Sequence, residues 1–225
     1  MIVDGWVDWA ARVHGHPAKK YSEPNSGEWI TCHSVVGDLP GHAIPARFMS
    51  DEREPGNPNR FTAHAQASTM FILYKDGHLI QQYPVTASTW TSGGREANTR
   101  SWAIEAEGGL ASNPGEPLTP AAEATFVRLC REWEAHTGRT ARPGLTLLQH
   151  KDVAAEFGYA PTACASDRYA HAWSLLEETE MAEAEQLELE ALRKRRELAA
   201  LAADLNRYAE MLDVFDYAEG KGYLR

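Results

Sequence analysis

Nine histidines and three cysteines are the residues of this 225-residue chain best suited to chemistry at neutral pH. His14, His16, His42, His78 and His136 stand in polar or loop-like contexts, where a solvated imidazole is the default; His64 and His171 fit either reading. Two histidines differ. His33 ends the run Trp29-Ile30-Thr31-Cys32, and His150 closes Leu145-Thr146-Leu147-Leu148-Gln149. Cys164 follows fourteen residues later, within Pro161-Thr162-Ala163-Cys164-Ala165-Ser166. Two histidines and a cysteine suit a zinc site with three protein ligands, whose fourth position stays open for water, the catalytic rather than the structural pattern. The three lie far apart in sequence, so spacing alone leaves a second reading open, in which Cys164, like Cys32 and Cys130, is a buried, inert thiol. Glu105 and Glu107 alternate along Ser101-Trp102-Ala103-Ile104-Glu105-Ala106-Glu107 and point to one side of a strand. Residue type alone favours a solvated pair there.

The elements that must position these side chains read as a mixed α/β domain over residues 1–174, a central β-sheet flanked by helices. Trp29 to Val36 and Ser101 to Glu107 are strand-like and end at glycines. Phe71-Ile72-Leu73-Tyr74 and His78 to Tyr83, joined through Asp76-Gly77, form a β-hairpin signal, because Asp-Gly supplies the positive φ such turns need. Residues 119–137 read as a helix, with Thr119-Pro120 at its start, Phe126, Leu129, Cys130 and Trp133 as its apolar stripe, and Gly138 as its stop. Residues 37–62 and 84–100 are rich in Gly, Pro, Ser, Thr and Asn and read as surface loops. Five tryptophans, Trp6, Trp9, Trp29, Trp90 and Trp102, invite a carbohydrate-stacking reading. Trp29 and Trp102 lie in strands, where a core role is the stronger reading, whereas Trp90 sits in a loop able to line a groove.

Beyond residue 174 the composition changes. From Leu175 to Glu219 there is neither Pro nor Gly, and 13 acidic residues face 5 basic ones. This is the composition of a long helix or coiled coil, over residues 175–225. Leu198, Leu201, Leu205, Tyr208, Leu212 and Phe215 form a three-four seam that would either pair with a second copy or pack back on the globular part. The net charge of −10, from 22 Lys+Arg against 32 Asp+Glu, argues against nonspecific nucleic-acid binding. No apolar run approaches the roughly 20 residues of a membrane span. The first residues lack the pattern of a signal peptide, so synthesis in the cytoplasm is expected.

Four stretches, WITCHS, FILYKDGHLIQQYP, SWAIEAEGG, and QHKDV followed by PTACAS, stand in an order and spacing that resembles the zinc amidase family containing bacteriophage endolysins and peptidoglycan recognition proteins. That family cleaves the bond between N-acetylmuramic acid and L-alanine in bacterial cell walls. The resemblance covers roughly Trp29 to Asp167. It implies His33, His150 and Cys164 as zinc ligands, with Asp167 as the fallback third ligand, Glu105 as the general base, and Thr162 as a hydrogen-bond donor beside the scissile carbonyl. It also places Thr69 and Thr91 at positions that face substrate in relatives; Trp90, by its loop context, would line the same groove, with Ser92, Gly93, Gly94 and Asn98 flanking it.

The chain departs from the family pattern at Thr69 and Met70, where many members carry a Tyr or small residue and then His, and at Thr91, which replaces a frequent His. The expectation is a zinc-dependent peptidoglycan amidase, a phage lysis enzyme acting on the wall, with a cytoplasmic enzyme that recycles wall fragments fitting equally, and with the tail adding avidity through oligomerisation. The alternatives are a muropeptide-binding module of the same fold that does not cut, and a docking head carried on a coiled coil.

Overall fold

The computed structural model describes residues 1–110, 112–178, 186–195, 197, 198 and 201. It divides into two units, Met1–Leu176 and Glu177–Arg225. The first is built on a six-stranded mixed sheet whose strands are, in chain order, β1 (Ala11–Arg12), β2 (Trp29–Ser34), β3 (Phe71–Leu73), β4 (Leu79–Gln81), β5 (Ser101–Ala106) and β6 (Leu147–Gln149). Their order across the sheet is β6-β2-β5-β3-β4-β1. Only β3 and β4 pair antiparallel, as the Asp76-Gly77 turn requires; Gly77 takes φ 84°, and a Cβ there would stand 2.8 Å from the Ala121 carbonyl oxygen. The two central strands, β2 and β5, run parallel in a register that puts Glu105 beside His33. Both are buried on both faces, and so read as nearly continuous apolar runs rather than as alternation.

Helices α1 (Ala46–Met49), α2 (Arg95–Arg100), α3 (Pro120–Thr137) and α4 (His150–Glu156) flank the sheet. α3 starts where the Thr119 hydroxyl accepts the Ala122 N–H and stops at Gly138, whose φ of 69° is left-handed. Its stripe of Phe126, Leu129, Cys130 and Trp133 packs on the sheet face formed by Ile30, Cys32, Phe71, Leu73, Trp102 and Ile104. Burying side chains of this size stabilises the domain by about 1.5–3 kcal/mol each. Period-two alternation sends the neighbours of these strand residues, His33, Glu105 and Ile72, to the opposite face. There Phe48 of α1 packs with Ile72 and Ile80, and Ala97 of α2 packs with Trp29, Leu148 and Val153. Trp29 and Trp102 are core residues, in keeping with their strand positions.

The two stretches read as surface loops contain more structure than their composition suggests. Residues 37–62 hold α1 and a paired strand of Arg53–Glu54 with Asn57–Phe61; residues 84–100 hold α2 and the strand Ala87–Thr89, which pairs with Lys20–Pro24. Long-range partners impose these elements, since Phe48 and Ala97 are fully buried among residues distant in sequence. In the second unit, residues 186–195 are helical and exposed. Of the expected seam, Leu198 and Leu201 are exposed, while Leu205, Tyr208, Leu212 and Phe215 lie outside the described residues. Among the described residues no helix is long and apolar enough to cross a membrane.

Candidate metal centre and its cleft

The carboxyl ends of β2 and β6 are neighbours, which brings together two histidines 117 positions apart. His33 is the fifth residue of β2, and His150 is the first of α4, whose start is fixed by a reciprocal pair of bonds between Gln149 and Asp152. The imidazole centroids are 4.5 Å apart. Cys164, in the loop beyond α4, completes the set: one ligand atom each from His33, His150 and Cys164 lie within 4.8 Å of one another. His33 Nδ1 stands 3.8 Å from the Cys164 sulfur, and the other ring nitrogen, Nε2, is 3.4 Å from Ser92 Oγ. A proton on Nε2 would leave the Nδ1 lone pair turned toward the sulfur. The Ser34 backbone N–H donates to the same sulfur at 3.2 Å.

Electrostatics keep both histidines in the form a metal needs. Burial holds the His33 imidazole well below its usual range, with the neighbouring His150 and Arg47 acting in the same direction. Burial also lowers His150. Both are neutral donors at pH 7. Burial and the Glu105 charge push the Cys164 thiol up to about 12, so with no cation present the sulfur keeps its proton. A tetrahedral zinc, with Zn–N of about 2.0 Å and Zn–S of about 2.3 Å, places its donor atoms roughly 3.3–3.8 Å apart. The cluster fits such an ion with small side-chain movements, and its two imidazoles and one sulfur suit a borderline metal better than a hard one.

Glu105 is the unusual residue beside this cluster. It is 6% exposed, and its Oε2 is buried without a hydrogen-bond partner among the described residues; the nearest cation is Arg47, with Nη2 at 3.9 Å. Desolvation raises its pKa to about 7, with Arg47 opposing. Glu107, on the same side of the chain, has a different fate: its carboxylate accepts from the backbone N–H groups of Leu39 at 2.6 Å and Lys75 at 2.8 Å. The expectation of a solvated pair is therefore corrected. Cover from α1 and the neighbouring loops dries Glu105, while Glu107 anchors two loops.

The remaining candidates separate. Thr162 is half-buried, and its oxygen accepts the Cys164 N–H at 3.2 Å, which leaves its own proton for another acceptor. Trp90 and Thr91 line a cleft of about 300 Å³ with Tyr21, Gln66, Gly93, Asn98 and His150. Trp90 rests against Phe61 and Tyr21, at centroid distances of 5.5 and 6.0 Å. Asn98 is mostly buried, and its Oδ1 accepts from the N–H groups of Thr91 and Ser92, so it shapes the cleft wall from behind. Thr69 faces no surface: it is fully buried, with its hydroxyl 3.2 Å from the carbonyl oxygens of Phe71 and Ala103. Its expected place on the substrate-facing surface is corrected, because the residue enters β3 between two backbone acceptors. Asp167 is held by Gln149 and Lys151 rather than joining the cluster. Sequence reasoning missed Arg47, Tyr21 and Gln66. Arg47 and Gln66 sit in short segments without strand or helix periodicity, and no local signal marks any of the three.

The model of the family described as N-acetylmuramoyl-L-alanine amidase matches residues 23–166. No curated protein sequence matches the chain. Among solved structures, a selenomethionine derivative of AmpD is 18% identical with a TM-score of 0.50, covering 67% of this chain and 86% of that one. A mutant of PlyL is 16% identical with a TM-score of 0.51, covering 75% and 98%. The PlyG catalytic domain is 17% identical with a TM-score of 0.50, covering 74% and 90%. At these identities the likeness is one of fold.

Proposed function

The chain belongs to the N-acetylmuramoyl-L-alanine amidase family, and from that membership we propose that it hydrolyses the bond between N-acetylmuramic acid and L-alanine in peptidoglycan, using zinc held by His33, His150 and Cys164. The observation that supports this reading most is a three-ligand cluster lying beside a buried carboxylate whose Oε2 has no partner among the described residues. An unsatisfied buried carboxylate is costly, and such groups persist where chemistry uses them.

Zinc bound there would lower the pKa of water to about 7 and polarise the scissile carbonyl. The chain's own residues have distinct tasks. Glu105, whose pKa of about 7 lies close to neutral pH, accepts the proton of the attacking water and returns it to the departing amine. Thr162 donates its hydroxyl proton toward the carbonyl oxygen as negative charge develops there. Trp90 and Thr91 receive the substrate in the cleft beside His150, and Asn98 holds that wall in place. Thr69 acts only through the backbone it fixes.

The setting that the resemblance in sequence favours is a phage lysis enzyme, made in the host cytoplasm and acting on the wall; the composition of residues 175–225 supports an extension able to oligomerise it. The test incubates the purified chain with peptidoglycan, with and without a chelator, and measures newly exposed L-alanine amino groups. Release that the chelator abolishes and zinc restores is the expected result. A folded chain that binds one metal and releases nothing would instead be a muropeptide-binding module of this fold.

A further inference from the structure

The three residues Asp167, Arg168 and Tyr169, a few positions beyond Cys164, each reach back to an element that carries another part of the site. The Asp167 N–H donates to Gln149 Oε1 at 2.8 Å, and its Oδ1 accepts from Gln149 Nε2 and Lys151 Nζ, both at 2.7 Å. Gln149 and Lys151 are the two neighbours of His150. The Arg168 guanidinium, 2% exposed, donates through Nη1 to Ser34 Oγ at 3.1 Å and to the Ala106 carbonyl at 3.2 Å, and through Nη2 to the Glu107 carbonyl at 2.6 Å. Its Nε donates to the Glu116 carbonyl at 2.6 Å. Ser34 follows His33, and Ala106 and Glu107 follow Glu105. The fully buried Tyr169 hydroxyl donates to the His33 carbonyl at 2.9 Å. Two bonds close the ring at Cys164 itself: Ser34 N–H to the sulfur at 3.2 Å, and Lys151 N–H to the Cys164 carbonyl at 2.7 Å.

We infer that Asp167, Arg168 and Tyr169 are positioning residues that hold Cys164 at metal-binding separation from His33 and His150, and so set the affinity of the site for its metal. The inference rests on the metal reading proposed above. Its physical basis is pre-organisation: a ligand loop already held in place has less conformational freedom to lose when the ion arrives. Filling the core would require only apolar groups here. The chain instead buries a guanidinium whose donors meet acceptors at the ends of both central strands, which ties the loop to them.

The test uses the full chain and Co²⁺ as probe, reading the thiolate-to-cobalt absorption band and the dissociation constant by competition with a chelator. Melting of the metal-free protein is measured alongside. Tyr169→Phe keeps the ring that packs on Phe126 and removes only the bond to His33; Arg168→Lys keeps the charge and loses the fork. Leu129→Ala, in the stripe of α3, serves as a control that destabilises the core while removing none of these hydrogen bonds. Tyr169→Phe and Arg168→Lys are expected to weaken cobalt binding about 10–100-fold, with an altered thiolate band. Tyr169→Phe should melt near the wild type when metal-free, and Leu129→Ala should melt lower yet keep its cobalt affinity. Cobalt affinities within about twofold of wild type for both loop variants, or losses no larger than that of Leu129→Ala, would overturn the inference while leaving the metal reading intact. Should Arg168→Lys fail to fold, Tyr169→Phe and Gln149→Ala decide by the same criteria. A wild-type chain that gives no thiolate band overturns both the metal reading and the inference.

Discussion

Replacing Glu105 by Gln should separate stability from activity in opposite directions. The carboxyl titrates at about 7 in the folded chain against 4.5 in the unfolded one, because burial disfavours its charge. The unfolded state therefore releases this proton first as pH rises, and the stability that the neutral acid contributes is lost between about pH 4.5 and pH 7. One pKa unit corresponds to about 1.4 kcal/mol, so the shift costs the metal-free protein on the order of 2–3 kcal/mol at pH 8 relative to pH 5. Gln cannot ionise and escapes that loss. In chelator-treated samples the variant should thus gain on wild type by this amount between pH 5 and pH 8, a relative rise of roughly 5–10 °C in melting temperature for a domain of this size. With zinc restored, the same variant should lose at least about 100-fold in amide hydrolysis, as expected when a general base is removed. Thermal melts at the two pH values and the amino-terminus release assay measure both arms. A melting difference that does not change with pH would refute the buried-carboxyl argument, and hydrolysis within tenfold of wild type would remove Glu105 from the chemistry.

Three further outcomes are expected. Cys164→Ser should lower bound zinc per chain, measured by metal analysis after dialysis, and should remove the stabilisation that a metal at 100 times its dissociation constant provides, about 2.7 kcal/mol. Trp133→Ala should cost roughly 3–5 kcal/mol in denaturant unfolding, because the ring is fully buried against the sheet and its Nε1 donates to the Gly27 carbonyl at 3.1 Å. Trp90→Ala should raise KM for muropeptides severalfold while leaving zinc content unchanged, since its ring lines the cleft and takes no part in the ligand set; a loss of zinc in that variant would contradict the separation of cleft and centre.

Local chemistry made much of this chain legible. The Asp76-Gly77 turn specifies the β3–β4 hairpin, Thr119-Pro120 and Gly138 bound α3, and the stripe of Phe126, Leu129, Cys130 and Trp133 marks the helix face that must be buried. These signals act over a few residues and survive without the rest of the fold. His33, His150 and Cys164 could be singled out by type and by the ends of apolar runs, yet only the parallel pairing of β2 with β6 makes neighbours of the two histidines. The dryness of Glu105 is likewise a tertiary fact, because alternation gives the side of the strand but not what covers it. The same limit explains Thr69, exposed by analogy and buried by packing, and α1 and α2, whose loop-like composition yields to contacts with distant strands. Sequence by itself determined which groups are available and which elements carry them. Tertiary structure alone decided which groups meet and which lose their water, since desolvation and proximity depend on chain segments tens to more than a hundred residues apart.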